Sequence, residues 1–188
     1  MKKLLTMVVL AFTTLSMNAQ ENSKFAFKAG FGLTSVEGHD VDCKNKFAFK
    51  LGLSYDCGIS KHFSIIPGIE FVNKGCSNFG MDEDIHLYYV QLPVLVAFKF
   101  DLNENVKLTL SAGHYLAYGV NGSELDFGYY TCDAFDFCDR VDAGVMTGMT
   151  LAIDKFTIGA EYSRSISRLH SDYSAYNQAY GITVGYKF

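Results

Sequence analysis

The sequence predicts an all-β fold, an eight-stranded antiparallel up-and-down transmembrane β-barrel. Beyond residue 20, apolar side chains recur at every second position, which is the period of a β-strand. The chain of 188 residues also holds 16 Phe and 12 Tyr but only 2 Pro, and aromatic residues favour strands. Each segment collects its bulky residues on one face and Gly, Ala, Ser and Thr on the other.

Eight segments carry this alternation, and each is about as long as the 9–11 residues of a tilted membrane strand. In chain order they cover residues 25–34, 47–56, 63–72, 88–100, 106–119, 141–153, 156–163 and 178–188. The links between them are alternately short, as tight turns are, and long and polar. The long links cover about residues 36–46, 74–86, 120–139 and 167–176. Strict alternation of this kind predicts a meander with all long links at one end.

The size of the side chains predicts which face meets lipid. An eight-stranded barrel has an interior just wide enough for side chains to fill it, so a Phe from every strand would not fit inside. The small residues are therefore expected to face inward and the aromatic residues outward. An apolar surface of this extent needs lipid to cover it. A soluble β-sandwich with an aromatic core is the alternative fold.

The first twenty residues have the layout of a secretory signal peptide. A basic start, Lys2 and Lys3, precedes an apolar stretch over residues 4–17 and a small residue, Ala19. This layout is typical of a cleaved export signal, so we expect a signal peptide over residues 1–19 and a barrel domain over residues 20–188. Without the two lysines the chain keeps 14 basic and 20 acidic residues, a net charge of −6. Such a charge argues against a nucleic-acid partner.

Four stretches carry a resemblance to a known family: KFAFKLGLSYDCGISKHFSIIPGIEF (46–71), YYVQLPVLVAFKF (88–100), LSAGHYLAYGVNG (110–122) and YGITVGYKF (180–188). They resemble the PorT-like outer-membrane β-barrels of the Bacteroidetes, small barrels of the OmpA and OmpX type. The resemblance implies a place in the outer membrane, among its lipid and lipopolysaccharide. It also implies that the barrel-assembly machinery reads an aromatic C-terminus, here Tyr180, Ile182, Val184, Tyr186 and Phe188.

Charged side chains on the inner face predict a network inside the barrel. Strand parity places these residues there: Lys28, Lys50, Glu70, Lys74, Lys99, Lys107, Asp142, Glu161 and Lys187, with Asp56 at one end. Ions in so narrow a space have to pair, because desolvation costs several kcal/mol for each ion. We expect a lumen closed by paired charges; a narrow pore or proton path is the alternative.

The long links hold four of the five cysteines, Cys43, Cys76, Cys132 and Cys138. Because exported proteins form disulfides, the short spacing favours a Cys132–Cys138 pair, with Cys43–Cys76 joining neighbouring loops. Other pairings stay open, and a zinc site is a competing interpretation. Cys57 is the odd fifth cysteine, expected as a free thiol on the outer face.

The long links also suggest where a function lies. They hold 12 of the 20 acids, and residues 120–139 add an expected surface of exposed aromatics: Tyr129, Tyr130, Phe135 and Phe137. Exposed aromatics often mark binding surfaces. We therefore expect a role in envelope structure or in surface interaction with an extracellular or envelope protein, with no cofactor and no metal.

A lipid-modifying enzyme is the remaining alternative. Small outer-membrane barrels with such activities use a His with Ser and an acid near the outer rim. The last long link offers His170, Ser171 and Asp172, and His39, His86 and His114 lie elsewhere. Adjacent residues in one loop do not by themselves form a triad, so we expect no enzymatic activity.

Overall fold

The computed structural model describes residues 24–38, 44–77, 85–126, 131–136, 138–168 and 175–188. Ten strands and one short 3-10 helix lie in these ranges. The strands are β1 (Lys24–Gly38), β2 (Lys46–Gly58), β3 (Phe63–Cys76), β4 (Ile85–Asp101), β5 (Val106–Gly122), β6 (Glu124–Asp126), β7 (Thr131–Asp133), β8 (Val141–Ile153), β9 (Phe156–Ser165) and β10 (Ala175–Lys187). The 3-10 helix covers Ala134–Asp136.

Eight of the strands close into a barrel, in the order β1-β10-β9-β8-β5-β4-β3-β2. Every pair of neighbours is antiparallel, so the predicted eight-stranded up-and-down barrel is confirmed. Following the register from Ser35 around all eight strands leads back to β1 at Phe25, a stagger of ten residues. A stagger of this kind makes the strands tilt against the barrel axis.

The outer wall carries the bulky apolar residues, as their size predicts. Phe31, Leu53 and Ile182 are among the exposed ones. Two aromatic girdles frame this wall. The short-turn girdle consists of Phe25, Tyr55, Phe63, Phe98, Phe100, Phe156, Tyr186 and Phe188. The long-loop girdle consists of Phe49, Phe71, Tyr88, Tyr118, Tyr162 and Tyr180. Girdles at both boundaries of an apolar band are typical of membrane barrels.

The links confirm the alternation of length. At the short-turn end the chain reverses over residues 59–62, 102–105 and 154–155. Asp154 has a positive φ of 52°, which a two-residue hairpin turn demands. At the long-loop end most barrel strands extend beyond the predicted segments: β1, β3, β4, β5 and β10 by three or four residues and β9 by two.

A small hairpin in the third long link was not predicted. Strands β6 and β7 pair outside the barrel, and the 3-10 helix follows them. Three-residue strands are too short to produce a readable alternation. No helix in the described part of the chain is long and apolar enough to cross a membrane.

Candidate functional site: a filled lumen

Four charged side chains form a central cluster inside the barrel: Lys28, Lys50, Glu70 and Glu161. Lys28 Nζ lies 2.5 Å from Glu70 Oε1 and 2.9 Å from Glu161 Oε1. Lys50 Nζ contacts Glu161 Oε2 and lies 3.7 Å from Glu70 Oε2. Each lysine therefore touches both glutamates, and the cluster is neutral. It joins four strands, β1, β2, β3 and β9.

A glycine makes the central cluster possible. Gly52 pairs with Lys28 on one side and with Glu70 on the other. A Cβ at this position would lie 2.8 Å from Glu70 Cγ, which real Cβ atoms do not tolerate. The absent side chain lets the ammonium of Lys28 reach across β2 to the carboxylate of Glu70.

Neutral polar groups complete the cluster toward β4. Gln91 Nε2 donates to Glu70 Oε2 at 3.1 Å, and both side chains are buried. A cavity of about 40 Å³ borders the cluster, with Lys50, Lys74, Gln91 and Glu161 in its lining. A space of this size holds a few water molecules at most.

A second ion pair lies toward the short-turn end of the lumen. Lys99 Nζ lies 2.7 Å from Asp56 Oδ2. Lys99 belongs to β4 and Asp56 to β2, so this pair spans the strand between them. Both side chains are largely buried.

A third ion pair lies toward the long-loop end and is the most deeply buried. Lys74 Nζ lies 2.7 Å from Asp142 Oδ2, and each side chain is only 4% exposed. The Tyr115 hydroxyl donates to Asp142 Oδ2 at 3.3 Å, and Ser167 Oγ donates to Asp142 Oδ1 at 3.0 Å. The Lys74 ammonium also lies over two rings, 4.2 Å from the centroid of Tyr115 and 5.4 Å from that of Tyr89. This carboxylate thus has one cation and two hydroxyl donors.

Phe135 closes the lumen at the long-loop end. It is 8% exposed and meets the ring of Tyr89 edge-on at 5.6 Å between centroids. Its ring lies on Gly119, where a Cβ would be only 2.2 Å from Phe135 Cζ. The Arg140 guanidinium lies 4.8 Å from the centroid of the same ring. The apolar cluster beneath it contains Val36, Val72, Ile85, Leu87, Met146 and Ala175.

Hydrogen bonds hold this plug in place, where the plug means residues 134–136 and 138. Ala134 N–H donates to Ser123 O at 2.9 Å, and Phe135 N–H donates to Asp133 Oδ1 at 2.8 Å. Cys138 N–H donates to Ala134 O at 2.9 Å. The aromatic side chain is therefore presented to the lumen by a fixed backbone.

Most of the predicted inner-face charges lie where parity placed them. Lys28, Lys50, Glu70, Lys99, Asp142 and Glu161 all pair inside the barrel, as does Lys74. Two lysines differ. Lys107 pairs with Asp101 at 3.3 Å on the short-turn rim and is 53% exposed. Lys187 lies at the same end, beside Ala26 in the register. Strand parity predicts which face of the barrel wall a side chain lies on, but not how far along the barrel axis it lies. This explains why Lys107 lies at the rim and not inside the lumen.

The cysteines correct one prediction. Cys138 carries a free, buried thiol, so the predicted Cys132–Cys138 disulfide is wrong. The plug turns Cys138 into the apolar cluster, where burial, with a smaller contribution from Asp139, raises its pKa to about 11. Cys76 is disulfide-bonded to a cysteine whose side chain lies outside the described residues, so the Cys43–Cys76 pair stays a prediction. Cys57 carries a free thiol as expected, but it is buried at 6% exposure.

The expected aromatic surface of the third long link is also partly wrong. Phe135 is buried in the mouth of the barrel and offers nothing to a partner. Tyr129, Tyr130 and Phe137 lie outside the described residues. In a sequence, an aromatic residue among acids suggests an exposed loop. The signal that could have placed Phe135 inside is the pair Gly119 and Gly122, which leaves room on β5 for its ring.

The candidate catalytic residues are not brought together in the described part of the chain. His39, His170, Ser171 and Asp172 lie outside it. His86 and His114 are on the outer wall, on β4 and β5. Among the described residues no group of three or more His, Cys, Asp or Glu side chains could hold a metal ion.

The C-terminal segment forms a complete barrel strand. β10 pairs with β1 on one side and β9 on the other, and Phe188 N–H donates to Phe25 O at 2.9 Å. Tyr180, Ile182, Val184 and Phe188 are exposed on the outer wall, with Tyr186 between Phe156 and Phe188. That this strand is an assembly signal stays a prediction.

A closed barrel of eight strands, an apolar outer wall between two aromatic girdles and a charge-paired interior define an outer-membrane β-barrel protein. The chain belongs to the outer membrane protein beta-barrel domain family, whose sequence profile matches residues 5–188. It is accordingly a protein of the outer membrane, surrounded by its lipid and lipopolysaccharide. No curated protein matches the sequence.

Two solved structures with TM-scores above 0.5 agree with the fold, and a third is reported for its similarity only. The chain is 17% identical to Neisserial surface protein A, with a TM-score of 0.56 over 89% of this chain and 100% of that one. It is 12% identical to the outer membrane enzyme PagL, with a TM-score of 0.58 over 86% of this chain and 98% of that one. The attachment invasion locus protein of Yersinia pestis, Ail, is 17% identical, with a TM-score of 0.48 over 88% and 99%. At these identities the similarity concerns the fold alone.

Proposed function

We propose that this protein is a non-conducting outer-membrane barrel that serves envelope structure or surface interaction through its long loops. The observation that carries the proposal is the filling of the lumen at every level. Ion pairs occupy its lower, central and upper parts, and Phe135 closes the long-loop end. An ion would have to break at least one of these pairs to pass. The PorT-like assignment within the outer-membrane barrels belongs to this proposal as well.

Conductance in planar bilayers tests the closed lumen. We expect the purified protein to insert without stable single-channel steps, while a porin added to the same membrane gives them. Folding of each preparation is checked by its heat-dependent migration in gels. Stable unitary steps from the folded wild-type protein would contradict a closed lumen and favour the small-pore alternative.

The surface role is tested by shortening the hairpin and keeping the plug. Ser123 and Ala134 are hydrogen-bonded at its base, and Leu125 pairs with Cys132 above them. Replacing residues 126–131 with Asn-Gly, which suits a two-residue hairpin turn, is a deletion that keeps this base and Cys132. We expect cross-linking in intact outer membranes to capture an envelope or extracellular protein with the wild-type chain and not with the deletion. Equal capture by both would place the interaction elsewhere.

The absence of enzymatic activity belongs to the same proposal. The resemblance in fold to PagL, named an outer membrane enzyme, makes the test worthwhile. We expect no acyl release from labelled lipid A or phospholipid mixed with the protein. Acyl release that disappears in a His170→Ala variant would overturn this part of the proposal.

A further inference from the structure

A row of small residues borders the cavity beside the central cluster. Gly32 on β1 pairs with Ala48 on β2 and with Gly181 on β10. Ala179 is the next inward-facing residue of β10 toward the long loops. All four residues line the cavity. Because none of their side chains is larger than a methyl group, a space of about 40 Å³ remains between this part of the wall and the central cluster.

Two close approaches of the backbone keep this row small. A Cβ at Gly32 would lie only 2.1 Å from Tyr180 O, and a Cβ at Gly181 would lie only 2.5 Å from Phe31 O. Neither position accepts a side chain unless the strands move apart. The space is therefore built into the pairing of β1 with β10.

A buried side chain directs an unpartnered oxygen atom into this space. Gln91 is 1% exposed and lines the cavity, although two strands separate β4 from β1 in the barrel. Only its side chain can reach so far. Its Nε2 donates to Glu70 Oε2, and because a carboxylate only accepts hydrogen bonds, the amide cannot be turned round. Its Oε1 is the polar atom that is left for the cavity, and no described residue is its hydrogen-bond partner.

The chemistry of the lining determines which ligand fits. A carbonyl oxygen accepts hydrogen bonds and donates none, so an anion finds no donor at Gln91 Oε1. Lys50 and Lys74 border the cavity, and their positive charges repel a metal cation. Glu161 also borders it, but this carboxylate already contacts two lysines. A small neutral molecule that donates a hydrogen bond meets all these conditions.

We propose that the cavity binds a cluster of about three water molecules, since each water needs about 10–15 Å³ of such a space and two to four polar partners. One water donates to Gln91 Oε1. Ser163 and Thr183, which face inward in the lining, supply hydroxyl groups that both donate and accept. The bound water fixes the amide whose other end holds Glu70. This inference does not depend on the proposed function, because a closed lumen and a conducting one can both hold the water.

Nuclear Overhauser effects between water and alanine methyl groups test the proposal, because methyl protons do not exchange with water. The folded protein is placed in perdeuterated detergent micelles with only its alanine methyl groups protonated. We expect cross-peaks from water to the methyl groups of Ala48 and Ala179, which line the cavity. The methyl group of Ala160 is exposed on the outer wall of β9, where detergent chains cover it, and it should give none.

A cavity-filling variant locates the water. Ala48→Val adds two carbon atoms to the lining, and we expect the water cross-peak of Ala179 to lose most of its intensity. The matched control Ala160→Val makes the same change on the outer wall and should leave that cross-peak unchanged. Heat-dependent migration in gels reports that each variant has formed its barrel. Ala179→Val, observed at the methyl group of Ala48, gives the same test if Ala48→Val does not fold.

Two results overturn the proposal. A folded wild-type protein without water cross-peaks at both Ala48 and Ala179 has a dry cavity. A cross-peak of Ala179 that keeps its full intensity in folded Ala48→Val comes from water at another place.

Discussion

The two halves of the lumen hold their charges in different ways. In one half, the four charges of the central cluster share contacts, so each of its lysines touches two carboxylates, while Lys99 and Asp56 form a separate single pair nearer the short turns. Toward the long loops, Lys74 and Asp142 have one oppositely charged contact each and are surrounded by aromatic and aliphatic side chains. A charge of the central cluster therefore has a spare partner, whereas Lys74 and Asp142 have none. The expected cost of losing a charge therefore depends on its place along the axis.

The largest effect is expected from Lys74→Met. The substitution keeps an unbranched side chain that is one atom shorter, but it leaves the Asp142 carboxylate buried without a cation. Breaking a buried ion pair from one side typically costs about 3–5 kcal/mol. Urea titration of the folded barrel in lipid vesicles gives the loss in the free energy of unfolding.

A double variant checks the reason for this loss. Lys74→Met with Asp142→Leu removes both charges, so no ion stays unpaired in the apolar half. We expect the double variant to recover part of the stability that the single variant lost. If the double variant is as unstable as the sum of both single variants, packing and not charge accounts for the loss.

A smaller effect is expected from Glu161→Gln in the central cluster. Both lysines keep Glu70 as a partner, and the amide still accepts a hydrogen bond from Lys28 or Lys50. We expect a loss of about 2 kcal/mol, in the range of hydrogen bonds to charged groups. The same urea titration measures it, and a loss as large as that of Lys74→Met would remove the contrast between the two halves.

A third substitution, Gly119→Ala, acts on the plug. The new methyl group collides with Phe135, and overpacking of this kind costs about 1–3 kcal/mol.

Displacing Phe135 also exposes Cys138. Since burial raises the pKa of this thiol to about 11, the wild type keeps it protonated near neutral pH. Its alkylation should accelerate only as the pH rises toward that value.

Alkylation followed over pH tests the state of the plug. In Gly119→Ala the Cys138 thiol is expected to regain a pKa near its ordinary value, so its reaction should accelerate at lower pH than in the wild type. Mass spectrometry of peptides locates the label on Cys138, and Cys57 is an internal reference within each sample. Identical pH profiles for Cys138 in both proteins would show that Phe135 does not shield it.

The smallest effect is expected on the rim. Lys107 and Asp101 pair at 3.3 Å, but the lysine is 53% exposed. Surface ion pairs contribute about 0–1 kcal/mol. Lys107→Ala should therefore change the urea midpoint hardly at all, and added salt should erase any change. A loss comparable with that of Glu161→Gln would mean that exposure does not govern the strength of these pairs.

The sequence predicts the barrel well because one rule covers all eight strands. A period of two assigns each side chain to a face, and the width of an eight-stranded barrel decides which face is inside. The same rule places Lys28, Lys50 and Glu161 in the lumen. It does not state that Lys28 reaches across Gly52 to Glu70, because the partner depends on the stagger between strands.

The rule stops where regular strands stop. Phe135 and Cys138 lie in a long link whose apolar residues follow no regular spacing. Only the composition of this link could be used to place them, and its many acids suggest an exposed loop. The structure instead turns both toward the lumen because Gly119 leaves space for an aromatic ring. His114 shows the opposite limit, because strand parity puts it on the outer wall while its depth between the two girdles depends on the registers with β4 and β8.

The seam between β1 and β10 has a consequence for timing. Ala26 pairs with Lys187, so the first barrel strand finds its second partner only after all the others have been synthesised. Until then, an apolar strand with open backbone groups is exposed, and such an edge invites aggregation. Contacts so distant in sequence also form slowly. The barrel can therefore close only after β10 has been made, and until then the chain has to keep the free edge of β1 from pairing with other chains.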